Sequence, residues 1–376
     1  MKNPVHIKGC RNLSVPGKFL FFLFAFMVFL SAGSGAQSLK PGFDKEECLE
    51  MLRISSRFGD SAYFKNIQAP AYDPVYRSPV SGLDNCWDLW ISKKGVAVIS
   101  VRGTTASNLS WLANLYAAMV PAQGVLHLSE KDSFVYDLAQ HPAAGVHIGW
   151  LVSTAFLSET ILTKIDSCYR SGIRDIIITG HSQGGAIAYL LTAWLYRKQQ
   201  HGLVPADIRF KTYCTAAPKP GNLYFAYEYE SMTQQGWSYN IVNPADWVPE
   251  VPIAVQTVND MNRINPFVSA GSMFGKQKFP RRIALRHMYN RLSKPSIKAQ
   301  RNNRKYLGDL ASGMVRKTLK DYHPPKYLKS SHYVRTGAFI VLPADDAYYR
   351  LFPDDRENVF CHHLHRPYLY LTERLP

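Results

Sequence analysis

Acidic residues are scarce in this 376-residue chain: 28 Asp and Glu stand against 44 Lys and Arg, a formal charge of +16. The deficit is local, because 17 Lys or Arg between Asn262 and Ser330 face only Asp309 and Asp321. That stretch alone carries +15, and the first 36 residues add four basic side chains and no acidic one. The rest is slightly acidic. A nucleic-acid partner is disfavoured, since the basic residues are not interleaved with stacking aromatics in any recognisable module. Two readings of the basic stretch stay open: attraction to a membrane surface or anionic envelope polymer, and a solvated insertion.

Cysteine is also sparse, at six residues whose scattered spacing argues against a zinc site, and the odd count after residue 36 leaves at least one unpaired within the chain. Long apolar runs are absent after Leu30. The one that exists, Phe19 to Leu30, follows Lys2, Lys8, Arg11 and Lys18 and precedes the small residues Ser34-Gly35-Ala36. Residues 1–36 therefore read as an export signal, giving a periplasmic or secreted protein, with an uncleaved membrane anchor as the alternative. The expected organisation is one domain over 37–376 with an insertion at about 262–330. No internal repeat is visible.

What is present is an α/β pattern. Apolar strand-like runs fall at 88–91, 96–101, 175–179, 210–215, 239–242 and 337–342, and helical patterns at 45–57 and from Val146 to about Tyr169. Strands alternating with helices predict a mostly parallel sheet covered on both faces. The most informative junction is Gly180-His181-Ser182-Gln183-Gly184. A β-branched run enters it, and Ala186, Ile187, Leu190, Leu191 and Trp194 leave it at helical spacing. Such a strand-turn-helix lifts a serine hydroxyl above the sheet and aims helix N–H groups at whatever anion forms there, with glycine needed where strand and helix cross.

A serine hydroxyl needs a base, and the base needs a carboxylate. In this fold class both follow the serine in the chain. Asp246 lies on the proline-stiffened loop Asn243 to Pro249, and His362, His363 and His365 near the C-terminus are the candidate bases. An oxyanion requires two N–H donors. Gln183 supplies one through its backbone, and Thr104, after Arg102-Gly103 at a strand end, the other. The apolar stretch around Trp111, Leu112, Leu115, Tyr116 and Met119 reads either as part of a mobile lid over 107–124 or as permanent core.

These motifs together resemble the class 3, or fungal-type, lipases of the α/β-hydrolase superfamily. Arg102-Gly103-Thr104 is similar to the family's oxyanion segment, and Trp111 to Leu115 to the stretch after it. Val146-His147-Ile148-Gly149-Trp150 resembles its Val-His-x-Gly-aromatic helix entry, and Ala217 to Asn222 its Pro-x-x-Gly-Asn loop. Asn243 to Pro249 fits its acid loop. The resemblance implies an α/β-hydrolase fold and a triad of Ser182, Asp246 and His363, the last because the family's base commonly stands five residues before an aromatic, here Tyr368. The implied activity is hydrolysis of lipid carboxylic esters such as tri- or diacylglycerols, with no metal or organic cofactor. A phospholipase, a soluble-ester carboxylesterase and a non-catalytic lipid or envelope binder are the alternatives. Two departures stand out: the basic insertion, and Gln183 where many members carry Leu.

Overall fold

The β-branched and aromatic runs pair into a seven-stranded sheet. A computed structural model describes residues 39–267 and 270–376, without the side chains of 270–272, so the expected export signal lies outside the described residues. Within Pro41–Pro376 the strands are β1 (Tyr72–Arg77), β2 (Trp87–Ser92), β3 (Val96–Val101), β4 (Asp175–His181), β5 (Arg209–Thr215), β6 (Ser238–Val242) and β7 (Ala338–Val341), adjacent in that order. The pairs β1/β2 and β2/β3 are antiparallel, and all four from β3 to β7 are parallel. The sheet is thus mostly parallel.

Every residue of β3 and of β4 is buried, which a sheet covered on both faces demands. Alternation sends Ile176 and Ile178 of β4 into one core with Ile187, Leu190 and Leu191, and Ile177 to the opposite face. Helix α1 (Lys45–Ser55) packs on β3, β4 and β5 and is itself covered by α5 (His365–Glu373), while α4 (Gln183–Gln200) packs on the same strands and on α3 (Ile148–Arg170). The remaining named helix near the sheet, α2 (Asn108–Leu115), leans on α3. These layers make the α/β-hydrolase architecture.

Two short elements depart from the expected pattern. Residues Gly145–His147 form a strand, and the helix starts one residue later at Ile148, where the His147 side chain caps it by accepting from the Trp150 N–H. The stretch expected as lid or core divides its roles. Tyr116 and Met119 are buried, whereas Trp111 and Leu115 on α2 are exposed.

Most of the basic region is one helical run: α6 (Arg281–Arg304), a π-helical turn Lys305–Leu310 and a final helix Ala311–Thr318. Its end is keyed to the body. The Leu307 carbonyl accepts from the Ala118 N–H at 3.0 Å, and Tyr116 shares hydrogen bonds with Tyr322 and Tyr327 at 3.1 and 2.9 Å. Among the described residues, no helix is long and apolar enough to cross a membrane.

Candidate active site

Strand β4 runs straight into α4 through Ser182, whose backbone sits at φ 60, ψ −131. An L-residue there is strained, a cost that persists only where the surroundings hold it. They do. A Cβ on Gly180 would overlap the Gly184 backbone, and one on Gly184 would overlap the Val101 carbonyl, so the crossing of helix and strand admits no side chain at either position. The Ser182 N–H is tied to the Thr215 carbonyl at 2.9 Å.

Ser182 opens on a cavity of about 730 Å³. The walls are mainly apolar, with Phe58, Trp111, Leu115, Val248, Ile253 and Leu307 prominent, and Thr104, Gln183, His363 and His365 line it as well. His362 does not. Its Nδ1 meets the Tyr348 hydroxyl at 2.7 Å and its Nε2 the outlying Asp354 at 2.9 Å.

His363 and Asp246, 117 residues apart, meet at 2.7 Å between Nδ1 and Oδ2. A carboxylate accepts only, so Nδ1 carries the proton and Nε2 is left with its lone pair. The carboxylate is buried and fully engaged. Oδ2 also accepts from the Tyr368 hydroxyl at 2.8 Å, and Oδ1 accepts from the Val248 N–H at 3.0 Å. Burial, and then the Asp246 charge, hold the Tyr368 hydroxyl well above its ordinary pKa, so it stays a donor.

Two further imidazoles pack beside His363. The His181 Nε2 lies 2.7 Å from the His363 carbonyl, which makes it the donor, and its Nδ1 is 2.9 Å from the Thr215 hydroxyl. Burial lowers the pKa of His181 to about 3, with the neighbouring His363 pushing the same way. His365 stacks on His181 at 4.1 Å between ring centroids and bonds Ser55 and Tyr63 at 3.0 and 2.8 Å. Burial also holds it well below the usual imidazole value. Both rings stay neutral and frame the His363 backbone.

Sequence reasoning missed a polar network behind Thr104. The Asn114 side chain donates from Nδ2 to the Thr104 hydroxyl at 2.9 Å, and its Oδ1 accepts from Trp150 Nε1 at 3.0 Å and from Gln183 Nε2 at 2.9 Å. Gln183 Nε2 reaches the Ser110 carbonyl as well, at 3.0 Å, and Ser110 Oγ accepts from the Thr105 N–H at 3.1 Å. The Gln183 amide, one residue after Ser182, therefore fastens α2 to α4. The available signal was polarity: Ser110 and Asn114 break the apolar face of a short helix. Among the described residues, no cluster of His, Cys, Asp and Glu is arranged to hold a metal ion.

Residues 98–256 match the family model described as lipase (class 3). The "Secreted mono- and diacylglycerol lipase 1" of Fusarium solani is 27% identical over 214 residues, covering 54% of this chain and 59% of that protein. The chain thus spans about three fifths of the length of the curated relative it matches. Among solved structures, Rhizomucor miehei triacylglyceride lipase is similar at 20% identity and a TM-score of 0.42, covering 57% of this chain and 77% of that one. The lipase of Rhizopus microsporus var. chinensis is similar at 20% identity and a TM-score of 0.41, covering 55% and 69%. The sheet order and the turn at Ser182 described above make the chain an α/β-hydrolase-fold protein, and its residues 98–256 are similar to the class 3 lipases.

Proposed function

We propose that the protein is an exported serine hydrolase that cleaves carboxylic ester bonds of lipids. The observation that carries this reading is the 2.7 Å contact of His363 Nδ1 with Asp246 in a site where His363 and Ser182 line one apolar cavity. Ser182 Oγ attacks the ester carbonyl carbon while His363 Nε2 takes its proton, and the Asp246 carboxylate steadies the imidazolium. The resulting oxyanion is held by the Gln183 N–H, at the N-terminus of α4, and by Thr104 through its N–H and hydroxyl. Collapse expels the alcohol, which takes the proton from His363, and leaves an acyl-serine. Water, activated by the same imidazole, attacks that ester and releases the acid and Ser182.

Asn114, Tyr368 and His181 are positioning residues in this scheme, acting through Thr104, Asp246 and the His363 backbone. The apolar lining favours acyl chains, and the Fusarium relative supports mono- or diacylglycerols as first substrates to try. Export rests on the composition of residues 1–36 and on that relative's name. Contact of the basic insertion with a membrane surface or envelope belongs to the same reading. Hydrolysis of a soluble p-nitrophenyl ester and of diacylglycerol by the wild type, lost in both Ser182→Ala and His363→Ala but kept in His362→Ala, is the expected result. Equal turnover by Ser182→Ala and wild type would sink it.

A further inference from the structure

The helical run 281–318 leaves an apolar stripe in solvent. On α6 the side chains of Met288 and Leu292 are 59% and 78% exposed. Within the π-helical turn Tyr306 and Leu310 are 52% and 56% exposed, and past it Met314 is 47% exposed. Unpaired apolar surface of this extent, on a helix otherwise rich in charge, calls for a partner.

The sequence of α6 says which kind. At about 100° per residue, Leu285, Met288 and Leu292 fall within roughly 60° of one another. Arg286, Arg291, Lys294, Lys298, Arg301 and Arg304 fill a separate sector of about 140°. The buried residues Ser293 and Gln300 mark the side against the body, about a quarter turn from the apolar stripe and away from most of the basic sector. The helix has no acidic residue. Among the described residues, no Lys or Arg between Arg263 and Lys329 has a carboxylate partner within ion-pair distance. A protein groove would bury the stripe but would need an acidic wall for the rest. A sheet of anionic headgroups above acyl chains meets both demands at once.

Placement joins the stripe to the site. Leu307, between exposed Tyr306 and Leu310, lines the cavity and is pinned to Ala118. Other cavity residues, Trp111, Leu115, Trp247, Ile253 and Leu364, are themselves exposed at 39%, 56%, 40%, 79% and 38%. We infer that the run Arg281–Thr318 lies on an anionic lipid surface, its apolar stripe in the headgroup–acyl boundary and its basic sector on the headgroups, with the cavity mouth beside it. This deepens the lipid-ester reading of Ser182 and rests on it only for the purpose of docking, not for the docking itself.

Vesicle co-sedimentation tests it, using phosphatidylcholine alone and phosphatidylcholine mixed with phosphatidylglycerol. The wild type binds the mixed vesicles at low salt and is released by 0.5 M NaCl. Arg291→Gln/Lys294→Gln/Lys298→Gln/Arg301→Gln loses on the order of 600-fold in partitioning, at about 5-fold per cation. Met288→Ser/Leu292→Ser also binds less, and both variants hydrolyse a soluble ester at the wild-type rate. Equal binding of the wild type to both vesicles, undiminished binding by the charge variant, or capture by a soluble polyanion without vesicle binding overturns the inference. Loss of soluble-ester turnover in the wild type with vesicle binding intact would instead count against the catalytic reading.

Discussion

Removing the Asn114 side chain is the sharpest test of the oxyanion role proposed for Thr104. An indole N–H only donates, so the atom 3.0 Å from Trp150 Nε1 is the Asn114 oxygen, and the amide nitrogen must face Thr104 Oγ1 at 2.9 Å. The Thr104 hydroxyl is thereby an acceptor from Asn114. Its own hydrogen is released to the cavity that Ser182 shares. Asn114→Ala deletes the donor that fixes this orientation and leaves the Trp150 N–H, in a buried setting, without its partner. An oxyanion donor contributes about 10²- to 10³-fold in kcat. A lost positioner should give up part of that, so kcat is expected to fall about 10- to 100-fold with KM little changed, and stability by about 1–3 kcal/mol from the orphaned N–H. Steady-state kinetics on a soluble ester, with thermal melts to confirm folding, read both. Thr104→Val should cost at least as much, and adding Asn114→Ala to it should cost little more, because both remove one interaction. A kcat for Asn114→Ala within about two-fold of wild type, or losses that simply multiply, would refute the argument.

Other outcomes follow from the same geometry. Tyr368→Phe removes a hydrogen bond to the buried Asp246 carboxylate at 2.8 Å and is expected to lower kcat/KM about 10-fold, from the ~1.5–3 kcal/mol typical of bonds to charged groups. Gly184→Ala drives a methyl into the Val101 carbonyl, and either low soluble yield or a strongly reduced melting temperature should result, while Gly313→Ala, with open space around it, should be neutral. Acid should destabilise the fold in a defined window. Burial lowers His147 and His181 to about 3 and puts His365 well below its usual value. These rings stay neutral when folded, whereas the unfolded chain takes up their protons as pH drops below about 6.5. Their stabilising contribution is complete above that value and is lost progressively toward pH 3. Melting temperatures from pH 7 to 4 should fall steadily, and the slope should be shallower in His181→Gln.

How much of this was legible beforehand varies residue by residue. The buried β4 strand, the glycines around Ser182 and the helix after it are local features, and one stretch of sequence holds them all. The sheet's edge was not legible. β1 carries Pro74 and is mostly exposed, so neither an apolar run nor clean alternation announces it, and it exists because β2 offers an edge. Likewise the hairpin Gln123–His127 with Ser133–Asp137 shows little apolar excess. His362, His363 and His365 look alike in sequence, and only the third dimension separates their partners: Asp354 and Tyr348, Asp246, and Ser55 with Tyr63. Apolar pattern alone does not tell a mobile flap from core, so it leaves Tyr116 and Met119 open to either role. Their burial under Tyr322, Tyr327 and Leu328 contacts depends on residues some 200 positions away. Asn114 shows in sequence only as a polar break in an apolar helix face, since its partners come from three separate elements.

The central claim is that one serine, at the tip of β4, is activated for acyl transfer. Reaction of the intact protein with a fluorophosphonate, followed by mass spectrometry of its peptides, addresses that directly. A single phosphonylated residue, Ser182, is expected, with labelling abolished in Ser182→Ala and slowed severely in His363→Ala. A folded wild type that never labels, or one that labels elsewhere at the same rate when Ser182 is alanine, would contradict it.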